Sequence, residues 1–476
     1  MLTKPKDFIP RGAFQTEATR FLLEHDRGNL HISMGLGKTI AVLNAIDILI
    51  LCGETRPTLI IAPLRVARST WSDEVKKWTH LAYLKVSLIV GTPKERQAAL
   101  NAEAQIFTIN YENLEWLVAM VGDNWPFRTI VADESTKLKS HRAHFRALKS
   151  GGQSLVCSGG KRTTAIARLA FTKTRRFWNL TGTPAPNGLQ DLWGQSWYID
   201  KGKSLGSSHT AFLDRWFKKS FNGHTLEMLP HAEQEIREAI APYTFTLRAE
   251  DYLNLGEEIT NTIFVDLPPK AMALYTEMEK RLYIEIKAGA VEAFTAAAKS
   301  QKCHQLANGA VYYDKDGNWE HIHDAKIDAL QSVIEEAAGT PVIVVYTFKA
   351  DLVRLQKAFP KGKAFDTDPK TEYAFKAGNI PILFLHPSSA GHGIDGFQNV
   401  TNIMCLFSVD WNSETRSQVI ARIGKVRQFQ AGLDRPVYIH QIVARNTVDE
   451  DILLRIESKM TVEEALKAGL ARRNLK

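Results

Sequence analysis

The sequence lacks the features that place a chain among secreted, membrane-spanning or disulfide-stabilised proteins. Only four of its 476 residues are cysteine, and no two of them stand at the Cys-x-x-Cys spacing of a zinc or redox site. The longest apolar run, residues 41–52, is too short for a bilayer span and contains Asn44 and Asp47. The N-terminal residues have no apolar segment typical of a signal peptide. We therefore expect a cytoplasmic protein with reduced cysteines.

Acidic residues are missing from one stretch of the chain. Residues 137–176 contain eleven Lys or Arg and no Asp or Glu, whereas the whole chain carries 60 basic and 52 acidic residues. This basic stretch supplies the entire net charge of +8 and indicates a polyanionic partner. Its two Ser-Gly-Gly sequences, 150–152 and 158–160, predict flexible joints. The stretch is compatible with a flap that binds phosphates and with a solvated surface loop.

Short apolar runs alternate with helical patterns in two series, as is typical of parallel α/β sheets. The predicted strands of the two series are 30–33, 59–62, 86–90, 106–109 and 129–132, followed by 262–267, 341–346, 380–385, 402–407 and 437–443. Residues between the series show no strand pattern and predict a helical insert with a linker. The sequence thus predicts a first α/β lobe in 1–187, the helical insert and linker in 188–260, and a second α/β lobe in 261–476.

A glycine-rich segment, Met34-Gly-Leu-Gly-Lys-Thr39, follows the first predicted strand and precedes a predicted helix. That context is typical of a loop whose backbone N–H groups bind phosphate at a helix N-terminus. In such a loop Lys38 would reach the β- and γ-phosphates of a nucleotide, and the Thr39 hydroxyl would bind Mg²⁺. The strict pattern has a further glycine where this chain has Ile32. Taken alone, the segment is also compatible with an ordinary turn before a helix.

Two adjacent acids, Asp133 and Glu134, end another buried-strand pattern. Carboxylates at the carboxyl end of a central strand lie beside the phosphate loop in sheets of this kind. Asp133 would hold Mg²⁺, and Glu134 would orient and deprotonate an attacking water. Together with the glycine-rich segment, the pair predicts a nucleotide hydrolase in preference to an acidic turn.

Further motifs follow one another along nearly the whole chain. They are Phe14-Gln15, 34–39, Leu59-Ile-Ile-Ala-Pro-Leu-Arg65 with Trp71, Glu74 and Trp78, Asp133-Glu-Ser-Thr136, Leu180-Thr-Gly-Thr-Pro-Ala-Pro-Asn187, Ser389-Ala-Gly-His-Gly-Ile-Asp395, and Trp411-Asn412 with Gln418 and Arg422. In this order they resemble the motifs of the Swi/Snf-related branch of the superfamily 2 helicases, above all the short versions found in bacteriophages. The resemblance implies two RecA-like lobes, each a parallel sheet flanked by helices, that clamp ATP and Mg²⁺ and walk along nucleic acid.

The resemblance also implies roles for single residues, to which the basic stretch adds four nucleic-acid candidates. The residues implied for ATP binding are Gln15, Gly35, Leu36, Gly37, Lys38, Thr39, Gly393 and Asp395. Those implied for Mg²⁺ are Thr39 and Asp133, and those implied for catalysis are Glu134, Arg422 and Lys425. For coupling they are Thr181, Gly182, Thr183 and Gln418, and for nucleic-acid contact Pro63, Arg65, Trp411, Lys161, Arg162, Arg175 and Arg176.

Two positions depart from the family pattern. Thr136 stands where the family more often has a histidine that links the ATP site to the 180–187 motif. Lys425 stands three residues after Arg422, where the family has a second arginine, and lysine cannot make the planar two-pronged contact of a guanidinium. Arg422, Lys425 and Arg427 therefore all stay candidates for the cation that faces the γ-phosphate.

The function that these expectations favour is an ATP-dependent translocase or helicase, with double-stranded DNA as the expected track. Two alternatives stay open at this point. One is a nucleic-acid clamp or remodelling subunit that binds ATP and hydrolyses it weakly, because of Thr136 and Lys425. The other is a helicase directed to RNA.

Overall fold

The computed structural model describes residues 5–10, 13–147, 153–186, 188–219, 226–252, 255–287, 293–314, 316–366, 368–390 and 395–458, and the single residues 465, 469 and 473. The chain divides into two compact units, Met1–Tyr252 and Leu253–Lys476. Each unit contains a parallel sheet flanked by helices, which confirms the predicted fold class. Among the described residues, no helix is both long and apolar enough to cross a membrane.

The first unit is built on a seven-stranded parallel sheet. The strands of the whole unit, in chain order, are β1 (Arg27–Ile32), β2 (Thr58–Ala62), β3 (Val86–Ile89), β4 (Ile106–Asn110), β5 (Thr129–Asp133), β6 (Arg142–Ala147), β7 (Gln153–Ser158), β8 (Arg176–Thr181), β9 (Phe217–Lys219), β10 (Leu226–Met228) and β11 (Thr244–Leu247). The sheet has the order β11-β1-β8-β5-β2-β4-β3, and every neighbouring pair in it is parallel. Strands β6 and β7, and likewise β9 and β10, form separate antiparallel pairs.

Helices cover this sheet. They are α1 (Ala13–Glu24), α2 (Lys38–Leu51), α3 (Trp71–Lys77), α4 (Pro93–Leu100), α5 (Leu114–Val121), α6 (Lys161–Ala167), α7 (Leu169–Thr172), α8 (Leu192–Asp200), α9 (His209–Trp216), α10 (Ala232–Ile240) and α11 (Ala249–Tyr252). The central strands β2, β4 and β8 are buried at every residue. A parallel sheet that is covered on both faces needs continuous apolar runs of this kind, which is why the sequence pattern located most of its strands.

The second unit has a six-stranded parallel sheet in the order β12-β19-β18-β15-β17-β16. Its strands are β12 (Glu258–Val265), β13 (Ala310–Tyr312), β14 (Trp319–His321), β15 (Val342–Val345), β16 (Lys363–Ala364), β17 (Ile382–Leu385), β18 (Ile403–Leu406) and β19 (Val437–Ala444). Its helices are α12 (Pro269–Lys287), α13 (Ala293–Asn308), α14 (Ala325–Glu336), α15 (Lys349–Ala358), α16 (Pro369–Lys376), α17 (Pro387–Ala390), α18 (Ser413–Ile420), α19 (Lys425–Gln430) and α20 (Val448–Ser458). Strands β13 and β14 pair as an antiparallel hairpin outside the sheet.

Two strands of the first sheet were not predicted. Strand β8 begins at the end of the basic stretch and lies in the middle of the sheet, between β1 and β5. Strand β11 lies within residues 188–260, for which the sequence predicts helices and a linker, and it pairs with β1 at the edge of the sheet. The helices predicted there are present, but the chain up to Tyr252 belongs to the first unit because its last strand completes that unit's sheet.

Helix α8 packs against the turn that follows β5. Its residues 192–199 are all buried, so the helix has no solvent-facing side over that length. A Cβ added at Gly194 would lie 2.6 Å from the backbone oxygen of Lys139 and 2.8 Å from that of Leu138. The absence of a side chain at this position therefore lets the helix approach the turn closely.

We expect Gly194→Ala to destabilise the protein. Alanine favours a helix over glycine by about 1 kcal/mol, but the new methyl group would overlap two backbone oxygens that cannot rotate away. The expected net loss in the free energy of unfolding is about 1–3 kcal/mol, measured as a lower Tm. Gly256→Ala is the control, because its added Cβ would lie an ordinary 3.5 Å from the oxygen of Arg435. Equal Tm values for both variants would contradict this account.

Candidate nucleotide site

The turn between β1 and α2 carries the glycine-rich segment at the carboxyl end of β1. Gly35 and Gly37 have φ values of 88° and 87°, a left-handed backbone that favours glycine. Helix α2 begins at Lys38, so its first N–H groups and the positive end of its dipole lie at this turn. The turn and the helix end together favour an anion such as phosphate.

Helix α1 places Gln15 against this turn. The side chain is buried, and its Nε2 donates to the backbone oxygen of Leu36 over 3.5 Å. A Cβ added at Gly37 would lie only 2.3 Å from that Nε2, so the close approach of Gln15 is a second reason for glycine there. The structure thus brings together the predicted ATP-binding residues of the first unit, which are Gln15, Gly35, Leu36, Gly37, Lys38 and Thr39.

The side chain of Lys38 folds back towards the end of β1. Its Nζ donates to the backbone oxygen of Ile32 over 2.8 Å. The ammonium group also lies close enough to Asp133 to stabilise the ionised carboxylate. Lys38 therefore lies between the glycine-rich turn and the acid at the end of β5.

Asp133 is a partly buried carboxylate held by two donors. Its Oδ2 accepts from Nε1 of Trp71 and its Oδ1 from the backbone N–H of Glu134, both over 3.1 Å. Burial raises the pKa of Asp133, while Lys38 and these two hydrogen bonds act in the opposite direction. The position of Trp71 in its motif was visible in the sequence, but its bond to Asp133 was not.

Glu134 has an unusual backbone for a residue with a side chain. Its φ is 55° and its ψ 57°, in the left-handed region, and a backbone of this kind costs about 1–3 kcal/mol. Tyr111 holds the segment, since its hydroxyl donates to the backbone oxygen of Asp133 over 2.8 Å. Sequence analysis did not identify Tyr111, which stands 22 residues away along the chain. The conformation turns the chain sharply at the end of β5.

The 180–187 motif leaves the sheet between the glycine-rich turn and the acids. Strand register pairs Thr181 with His31 of β1 and Leu180 with Asp133 of β5. A Cβ added at Gly182 would lie 3.0 Å from the side chain of Met34. The backbone N–H of Thr183 donates to Oγ1 of Thr181 over 3.1 Å. The predicted coupling residues of the first unit therefore border the candidate site; Asn187 lies outside the described residues.

Four predicted nucleic-acid residues lie at the same edge of the sheet. Pro63 and Arg65 follow the carboxyl end of β2, and Lys161 and Arg162 begin helix α6. Arg162 forms an ion pair of 2.9 Å with Glu112, which follows the carboxyl end of β4. Half of the Arg162 side chain stays exposed, so it is accessible to a partner.

Arg175 and Arg176 lie elsewhere. They stand at the amino end of β8, about 17 Å from its carboxyl end at ~3.3 Å per residue. Arg175 pairs with Asp26 over 2.9 Å, and the buried Arg176 pairs with Glu54 over 3.0 Å. The structure does not bring these two residues together with Lys161 and Arg162, because a whole strand separates them.

The basic stretch is folded where it is described. It contains β6, β7, α6 and α7, and it ends at the first residue of β8. A Cβ added at Gly159 would lie 2.1 Å from the backbone oxygen of Ser140, so the joint predicted at 158–160 is packed against the chain. That part of the prediction is corrected, since close backbone packing takes the place of a free joint. The joint predicted at 150–152 lies outside the described residues.

In the second unit, Gln418 and Arg422 share helix α18 and the turn after it. The buried Gln418 donates to Glu414 over 3.3 Å, and Nε of Arg422 donates to the backbone oxygen of Gln418 over 3.2 Å. Lys425 is the first residue of α19. The structure thus places Gln418, Arg422 and Lys425 in one short segment.

Arg427 is engaged differently. Its Nη1 forms an ion pair of 2.6 Å with Asp395, a predicted ATP-binding residue. Trp411 is partly buried against Val409, Val443 and Ile452, so part of its ring belongs to the core of the unit. Gly393 lies outside the described residues.

We expect Trp71→Phe to raise the pKa of Asp133 further. The variant removes an N–H donor that stabilises the carboxylate, while burial continues to oppose ionisation. A carboxyl ¹³C NMR titration measures the shift. The matched control is Trp78→Phe, which removes an indole bond to Glu74 of 2.8 Å and leaves Asp133 untouched. An unchanged pKa in Trp71→Phe would show that the indole does not stabilise the carboxylate.

Comparisons with known proteins agree with these motifs. A family model described as the SNF2-related domain matches residues 14–311, more than half of the chain. Protein p41 of the Acyrthosiphon pisum secondary endosymbiont phage 1 is 48% identical over 474 residues, which cover 98% of this chain and 100% of that protein. An uncharacterized ATP-dependent helicase of Mycoplasma pneumoniae is 24% identical over 460 residues.

The extent of these matches differs. The Mycoplasma match covers 92% of this chain but only 40% of the helicase, so this chain spans less than half the length of that relative. Among solved structures, the SWI2/SNF2 ATPase core of Sulfolobus solfataricus in complex with dsDNA is 19% identical, with a TM-score of 0.43, and the match covers 100% of this chain and 97% of that one. On the family match and the phage relative, the chain belongs to the SNF2-related family.

Proposed function

We propose that this protein is a DNA-stimulated ATPase that uses ATP hydrolysis to move along double-stranded DNA. One observation carries the proposal. At the carboxyl edge of a single parallel sheet, a glycine turn with Lys38 adjoins a partly buried carboxylate, Asp133, and the sharply turned Glu134. This combination suits phosphoryl transfer, which depends mainly on positioning and electrostatic stabilisation. Membership of the SNF2-related family supports nucleic acid as the partner.

In this proposal the turn and helix α2 bind the phosphates of ATP. The backbone N–H groups at Gly35–Lys38 bind phosphate oxygens, and Lys38 exchanges the backbone oxygen of Ile32 for a phosphate oxygen. Gln15, which already contacts the turn, binds the adenine base of ATP, as the resemblance implies.

The residues present fit Mg²⁺. Mg²⁺ prefers oxygen ligands and is held by one or two carboxylates together with substrate phosphates, and Asp133 and the Thr39 hydroxyl offer such oxygens. Burial raises the pKa of Asp133, so a neighbouring cation would relieve the cost of ionising it. When bound, the ion supplies charge neutralisation at the transferring phosphoryl group.

Glu134 is the proposed general base. It orients the attacking water and accepts its proton, a role worth about 10²–10⁴ in rate. The left-handed backbone and the Tyr111 bond to Asp133 determine the position of the Glu134 backbone from which this side chain extends. Motion in the adjoining Thr181–Thr183 loop would then alter the geometry of hydrolysis.

We propose that the second unit supplies the cation that faces the γ-phosphate, and that Arg422 contributes most of it. Its guanidinium offers a rigid two-pronged donor, which the Lys425 ammonium cannot match. Arg427 is the third candidate, and its guanidinium forms an ion pair of 2.6 Å with Asp395.

DNA would bind along the carboxyl edge of the first sheet. Pro63, Arg65, Lys161 and Arg162 lie there beside the nucleotide site. Contacts from arginine, lysine and backbone groups go to phosphates and do not read sequence, which suits a motor that moves along its track. In the second unit, Trp411 is the proposed contact.

The central test is ATPase activity with and without duplex DNA. We expect stimulation in the wild type, loss of both ATP binding and turnover in Lys38→Ala, and retained binding with turnover lowered about 10²–10⁴-fold in Glu134→Gln. Fluorescent nucleotide titration measures the binding. Arg20→Ala is the control, since this exposed residue pairs with Glu24 over 3.9 Å on the surface of α1.

The alternatives give different results in the same assay. Wild-type protein that binds ATP and DNA without appreciable turnover would favour the clamp. Stimulation by RNA and not by duplex DNA would favour the RNA-directed helicase. Glu134→Gln with wild-type turnover would remove Glu134 from catalysis.

Arg422→Ala and Lys425→Ala separate the candidate cations. We expect turnover at saturating ATP and DNA to fall about 10³-fold in Arg422→Ala, the lower range for loss of such an arginine, and much less in Lys425→Ala. Arg427→Ala is the third variant to be measured in the same assay. A fully active Arg422→Ala would contradict the assignment, and the variant with the largest loss would then mark the cation.

A further inference from the structure

Helix α8 carries a polar side chain in the core of the first unit. Gln195 is 2% exposed, between Gly194 and Ser196 on a helix that is buried on all sides over residues 192–199. A primary amide has two N–H donors and an oxygen acceptor, and leaving such groups unpaired in a core costs stability. The contacts of this amide therefore show what the side chain does there.

The amide joins two loops at the edge of the nucleotide site. Oε1 of Gln195 accepts from the hydroxyl of Ser135 over 2.8 Å. Its Nε2 donates to the backbone oxygens of Pro184 and Asp191 over 2.8 Å and 3.0 Å. Carbonyl oxygens can only accept, so these two partners determine which way the amide points. Both of its polar ends are satisfied, each by a different loop.

The two loops have different tasks in the proposed function. Ser135 directly follows Glu134, the proposed general base. Pro184 directly follows Thr183 in the loop whose motion is proposed to alter the geometry of hydrolysis. One side chain thus bridges the residue after the base and the residue after the coupling loop.

The helix that carries the amide is itself held in place. The backbone oxygen of Gln195 accepts from Nδ2 of Asn179 in β8 over 3.0 Å. The neighbouring Gly194 sits too close to the backbone of Lys139 to leave room for a methyl group. Because α8 is held in this way, a movement of the Pro184 loop would shift the Gln195 amide and, through it, Ser135. It would displace α8 itself less readily.

We infer that Gln195 is a positioning residue that couples the loop after β8 to the catalytic turn after β5, so that DNA binding accelerates ATP hydrolysis through it. The inference rests on the proposed function. It also adds to the expectation from sequence, which assigned coupling to Thr181, Gly182, Thr183 and Gln418 and did not single out α8.

The test compares DNA-stimulated with basal ATPase activity in Gln195→Leu. Leucine has a similar volume and cannot bridge the two loops. We expect the basal kcat and the KM for ATP to stay near wild type, and the stimulation by saturating duplex DNA to fall about tenfold, which corresponds to 1.36 kcal/mol in the transition state. Tyr198→Phe is the matched control, because it lies on the same helix and loses one buried hydrogen bond, to the backbone oxygen of Thr163.

Ser135→Ala removes the same link from its other end and keeps the test informative if Gln195→Leu folds poorly. We expect it to lower the stimulation to a similar extent, and the double variant to lose little more, because two ends of one connection are not additive. Thermal unfolding of every variant reports the integrity of the fold.

Two results would overturn the inference while the proposed function stands. One is wild-type stimulation in both Gln195→Leu and Ser135→Ala. The other is an equal loss of basal and stimulated activity with a lowered Tm, which marks a structural role alone. Wild-type protein that shows no DNA-stimulated ATPase would instead refute the proposed function, and the inference with it.

Discussion

The parallel pairing of β1, β8 and β5 is the constraint on which the site depends. Since the three strands run in the same direction, their carboxyl ends meet at one edge and deliver the glycine turn, the 180–187 motif and the two acids side by side. The register pairs Leu180 with Asp133 and Thr181 with His31. A slip of one residue would turn every side chain of a strand to the opposite face, so the buried faces of the sheet keep the site aligned.

The site is locally unfavourable, and the surrounding core offsets that cost. Asp133 is a partly buried carboxylate with a raised pKa, and Glu134 has a left-handed backbone. Indole and phenol donors from Trp71 and Tyr111 hold this segment, and helix α8, buried over residues 192–199, packs behind it. Strain of this kind persists only where neighbouring structure over-determines the conformation, and it is typical of sites that need a group in one position.

Folding places basic residues of the 137–176 stretch at opposite edges of the first sheet. Lys161 and Arg162 lie at the carboxyl edge beside the candidate site, whereas Arg175 and Arg176 are held by acids at the amino edge. Residues that are close in sequence are therefore separated by the length of β8. Only the first pair lies at the edge where the proposed function places nucleic acid.

From the sequence alone, the two α/β series, the glycine turn at 34–39 and the acids at 133–134 could be predicted, because buried strands and phosphate loops leave local patterns of apolar residues and glycine. Strand β11 could not be predicted, because it lies at the edge of the sheet, pairs with β1 on one side and is only partly buried, so its apolar pattern is weak. Nor could the bonds from Trp71 to Asp133 and from Gln195 to Ser135, which join residues about sixty positions apart. Such partners meet only when strand order and helix packing are complete, so tertiary structure alone decided which polar side chains orient the acids and link the loops.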